Sequence, residues 1–75
     1  MAVPRREMER LLAAGCEAMD LAQMGEAPGA YEMLLGGLAL AQADRSAGEP
    51  WGEELVGLWQ RLVARFAAAH TIGRA

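Results

Sequence analysis

The chain has 75 residues and a mass of 8.0 kDa, so it holds one domain at most, and folding leaves roughly 4,400 Å² accessible of roughly 11,600 Å² in the unfolded chain. One cysteine and one histidine exclude an internal disulfide and a four-ligand structural zinc site, two supports on which chains of this size often rely. The net charge of −3 provides no cationic surface field and excludes phosphate-backbone binding as a main role.

Hydrophobic residues make up 53% of the chain but aromatics only 5%, and alanine is the commonest residue. Such a composition suits helices packed at short distances, so the expected fold class is all-α, a three-helix antiparallel bundle in a single domain over residues 1–75. Pro4, Pro28 and Pro50 divide the sequence, and each precedes a stretch of helix formers with apolar residues at helical spacing. Proline is tolerated in a first turn, where the N–H groups have no intrahelical partner. The three helices are expected near Pro4–Met24, Ala27–Ala43 and Glu49–His70, with a frayed tail over 71–75.

In the first segment Met8, Leu11, Leu12, Gly15, Ala18, Met19 and Ala22 project to one face, with Glu9, Arg10, Glu17 and Asp20 opposite. This is an amphipathic helix. Glu7 and Glu9 sit near its positive N-terminal end, Leu21 and Met24 fall off the main stripe, and Gly25 is the expected C-terminal cap. Cys16 projects to the edge of the stripe and reads as a small buried hydrophobe, with no basic neighbour to make it a thiolate.

The second segment is the unusual one. Ala30, Leu34, Gly37 and Ala41 form a stripe of mostly small residues, and no charge occurs between Glu32 and Asp44. A helix apolar nearly all round should be central, covered by both neighbours or by another chain. Gly36 and Gly37 each cost about 1 kcal/mol relative to alanine in a helix interior, which points to a close backbone approach here.

Asp44 to Gly48 reads as a turn, with Ser46 and Glu49 at capping-box spacing. In the third segment Trp51, Leu55, Leu58, Trp59, Leu62, Phe66 and Ala69 share a face, opposite Glu53, Glu54, Gln60, Arg61 and Arg65. The bulky residues are expected against the small stripe of the second helix, since large against small interdigitates without voids.

Catalytic chemistry finds little support. His70 lies near the end of the third helix with no Ser, Cys or acid at a local spacing that would orient it, and it reads as an ordinary helix-end histidine. No E-x-x-H occurs among the acids, so a di-metal carboxylate bundle is not expected. Gly36-Gly37 lacks both the lysine and the strand–loop–helix context of a phosphate loop. The expectation is a non-enzyme with no metal and no cofactor. No apolar run is long enough to span a bilayer and the N-terminus lacks a signal-peptide stretch, so a cytoplasmic location is expected. Met8, Met19, Met24 and Met33 read as core filling, with an adaptable binding surface as the alternative. Leu35, Val56 and Val63 sit off the main stripes of the second and third helices. They line either a groove between those helices or simply a broader core.

Gly25, Ala30, Leu34 and Gly37, with Ala18 on the preceding helix, resemble the small-residue pattern of a tetratricopeptide-type helical hairpin. No second 34-residue copy follows, so a repeat array is disfavoured. With the long third segment, the chain resembles the microtubule-interacting and trafficking (MIT) domain from about Met8 to His70. The resemblance implies a non-enzymatic adaptor holding a short peptide between the third helix and one neighbour, the peptides being C-terminal tails of ESCRT-III filament subunits. Leu35, Leu38, Val56 and Val63 would then line the trough, with Arg61 or Arg65 on its rim. The other reading is a small homodimerising bundle, a structural or regulatory subunit whose second helix is buried against its twin.

Overall fold

Each helix begins within two residues of a proline, and the first two end at a glycine. The computed structural model describes residues 3–70, which form α1 (Arg5–Gln23), α2 (Ala27–Ser46) and α3 (Gly52–Ala69). The architecture is the expected all-α three-helix bundle, with short connections that make successive helices antiparallel. The expected frayed tail over 71–75 lies outside the described residues.

The two connections use the same device. Gly25 adopts φ +83° and Gly48 φ +88°, the left-handed region that glycine enters at little steric cost. Gly25 N donates to the Ala22 carbonyl and Glu26 N to that of Leu21; Gly48 N donates to Arg45 and Glu49 N to Asp44. Both sets of bonds form Schellman motifs, which satisfy carbonyls left open at a helix end. Gly25 is therefore the cap expected, but the capping box at Ser46 does not form. Helix α2 runs on through Ser46 and stops at Gly48, and α3 starts three residues later than Glu49, with no side-chain cap at Trp51.

Helix α2 is the central one, packed against both neighbours, while α1 and α3 approach each other little. Ala30, Leu34 and Ala41 on α2 are buried in a core completed by Leu11 and Ala18 of α1 and Leu55, Val56, Trp59 and Phe66 of α3. The expected match of large against small is realised at Gly37. A Cβ there would lie 2.8 Å from Trp59 Cζ2 and closer still to Cη2 and Cζ3, so the indole sits directly on the α2 backbone. Gly52 makes the matching approach at the other end of α3, where a Cβ would lie 2.6 Å from Arg45 Cα. Arg45 also pairs with Glu53 across this junction at 3.7 Å, an exposed contact of small energetic weight.

These two approaches fix the rotation of α3. Its packed line is Gly52, Val56, Trp59, Val63 and Phe66, alternating steps of four and three, and α1 packs along Glu7, Leu11, Ala14, Ala18 and Leu21 in the same rhythm. That spacing keeps one seam on a neighbouring helix. Three readings are sharpened or corrected as a result. Val56, left between a groove and a broader core, is only 2% exposed and belongs to the core. Leu21, off the sequence stripe, packs on the core. Cys16, read as a buried hydrophobe, is exposed, since it lies on the far side of α1 from α2.

Glu7 is the one buried charged residue among those described. It stands on the α1 seam and is compensated by Arg10 at 3.4 Å and Arg6 at 3.7 Å. Its place in the first turn also sets it against the positive end of the helix.

Candidate functional site

The seams that pack on α2 use only part of the apolar surface of α1 and α3. A second line runs beside each: Met8, Leu12, Gly15 and Met19 on α1, and Leu58, Leu62, Arg65 and Ala69 on α3, again in four–three–four steps. Because the first lines are turned toward α2, the second lines look toward each other across a shallow trough. Its walls meet midway at Gly15, whose Cβ position lies 3.8 Å from Leu62 Cδ1. A side chain at residue 15 would narrow the trough at this crossing.

Concavities lie along this trough and on the α3 wall. Toward the start of α3, Val3 and Met8 face Glu53, Glu54, Gly57, Leu58 and Arg61 around about 560 Å³. Along the α3 wall, Leu58, Arg61, Leu62, Ala64 and Arg65 border about 520 Å³. Toward its end, Gly15 and Met19 oppose Leu62, Arg65, Phe66, Ala69 and His70 around about 200 Å³. Leu12 and Met19 stand 64% and 54% exposed on the α1 wall. Scattered exposed leucines are ordinary on a protein surface; contiguous apolar side chains rimmed by charge are not.

The rim is charged and unused. Among the described residues, Glu54, Arg61 and Arg65 take part in no ion pair, and all three are exposed. Arginine can offer paired donors to a carboxylate, and two arginines four apart on a helix present them on one face.

Of the residues singled out from sequence, the structure brings Arg61 and Arg65 to this trough, with Met8 and Met19 on the facing wall. Leu38 and Val63 are half-buried against the core and Leu35 is half-buried on α2. Val56 lies in the core. Leu12, Met19, Leu58 and Leu62 were all visible as apolar positions, but a projection at 3.6 residues per turn merged the packed seam and the open one into a single stripe. Met19 and Met24 are exposed, so core filling describes only Met8 and Met33, which pack on the core.

No group of three or more His, Cys, Asp and Glu side chains capable of holding a metal occurs among the described residues. His70 caps α3 with its ring 4.4 Å from that of Phe66, forming part of the trough's apolar end. No helix is long and apolar enough to cross a membrane. Neither a protein-family model, nor a curated protein, nor a solved structure matches this chain.

Proposed function

We propose that this protein is a non-enzymatic interaction module of the cytoplasm that receives an amphipathic helical segment in the trough between α1 and α3. The observation that carries this reading is the apolar line of exposed Leu12 and Met19 and half-buried Leu58 and Leu62 beside the charges of Glu54, Arg61 and Arg65, which take part in no ion pair among the described residues. Helix-in-groove recognition needs an apolar trough for the buried face of the ligand and a polar rim to set its register. The resemblance to MIT domains implies the same general mode, with short C-terminal tails as ligands; the present reading sets the contact surface on α1 and α3, in place of Leu35, Leu38, Val56 and Val63. The partly buried Leu35 and Leu38 then support the fold.

Titration of the labelled protein with short amphipathic helical peptides, followed by methyl resonances, tests this. Shifts at Leu12, Met19, Leu58 and Leu62, with Leu35 and Val56 unmoved, are the expected result. Unchanged trough resonances at millimolar peptide would refute it.

A further inference from the structure

The open side of α3 carries opposite charges at its two ends. Glu54 stands in the first turn, Arg61 and Arg65 lie about two turns and one turn from the far end, and Leu58 lies between Glu54 and Arg61 with Leu62 between the two arginines. We infer that the occupant of the trough is a second copy of this chain, docked through α3 antiparallel to α3. This rests on the trough being an interaction surface and names what fills it.

Two arguments select that partner and that orientation. The first is charge. A two-fold axis near Trp59 and Gln60 sets Glu54 of each copy against Arg65 of the other, with Leu58 against Leu62. One asymmetric stripe thereby becomes self-complementary, as an isologous interface requires. A parallel arrangement would stack Glu54 on Glu54 and Arg65 on Arg65, and like charges in register oppose association. The second is Gly57. It lies inside α3, where glycine is disfavoured by about 1 kcal/mol relative to alanine, and a Cβ there would meet nothing within 4 Å. Nothing inside the chain asks for a glycine, in contrast to Gly37 and Gly52. It borders the concavity at the start of α3 together with Glu54, Leu58 and Arg61, where its bare backbone lets a second helix approach closely. Leu12 and Met19 stand on the opposite wall, where they flank the incoming helix.

The test is sedimentation equilibrium of the wild type from micromolar to several hundred micromolar, alongside Glu54→Arg, Arg65→Glu and the double exchange. A monomer–dimer equilibrium is expected. Each single reversal should weaken it by about tenfold or more, because symmetry repeats the clash twice, and the double exchange should recover most of the loss. Both residues are exposed and take part in no ion pair among the described residues, so all variants should keep wild-type helicity by circular dichroism. A wild type that stays monomeric, or a dimer indifferent to the single reversals, overturns the second copy as occupant. So does a double exchange no better than the singles. The peptide titration separates this failure from that of the trough itself. A monomer whose trough resonances shift with peptide retains the trough and excludes the second copy, and a monomer without shifts excludes both.

Discussion

Adjacent glycines in α2 provide an internal control on how this core is built. Gly36 and Gly37 share a helix and a residue type, yet alanine should act on them in opposite directions. At Gly36 a Cβ meets nothing within 4 Å, so Gly36→Ala should gain the helix-propensity difference, about 1 kcal/mol. At Gly37 the same methyl enters the Trp59 ring, 2.8 Å from Cζ2, against the 3.5–4.0 Å or so at which carbon atoms rest. The indole is only 3% exposed and cannot swing into solvent. Ring or helix must move by about 1 Å, and overpacking of that kind costs about 1–3 kcal/mol or more. After the propensity gain, Gly37→Ala should be destabilised by about 2 kcal/mol. The two variants should then differ by about 3 kcal/mol, which for a domain of this size separates their melting temperatures by more than about 10 °C. Thermal unfolding followed at 222 nm reads this directly. Equal melting temperatures would refute the close approach of Trp59 to α2. A second arm uses Trp59→Phe, which shortens the ring: in that background the Gly37→Ala penalty should shrink, because the clash is with the outer carbons of the indole.

Gly52→Ala should be the more damaging glycine substitution, since its Cβ would meet Arg45 Cα at 2.6 Å and Arg45 N at 2.9 Å, and backbone cannot repack. Urea unfolding should show a loss of about 3 kcal/mol, and a change below about 0.5 kcal/mol would show that α3 does not rest on the end of α2. Cys16 is exposed, so it should react with Ellman's reagent in the native protein at close to the rate in denaturant. A protected thiol would mean that α1 is rotated from the orientation described.

Where the chain forbids alternatives, the fold was legible. Proline and glycine placed the helix starts and the first cap, since each acts through its own backbone geometry. The stripe Ala30, Leu34, Gly37 and Ala41 was also plain, because only small residues permit the approach that Trp59 completes. Ser46 misled because a capping box needs its serine outside the helix, and the stronger signal was Gly48, which can take the positive φ that ends α2.

The candidate site was legible only in pieces, for a reason that lies in the period of the apolar pattern. A helix with two neighbours, or with one neighbour and an open side, carries an apolar sector wider than a single seam, and projection at 3.6 residues per turn reports the middle of that sector. In α3 the middle falls between Leu55 and Leu58, which hid that Val56 is buried in the core while Leu58 is only half-buried at its edge. Steps of four and three separate the seams, because that repeat follows one neighbour along the helix. Gly52, Val56, Trp59, Val63 and Phe66 form one such line and Leu58, Leu62, Arg65 and Ala69 the next. The tie is broken by glycine: the line containing Gly52, facing Gly37, is the one that can come close to α2. The other line, with charges at its edge, is the one that carries the proposed contact surface.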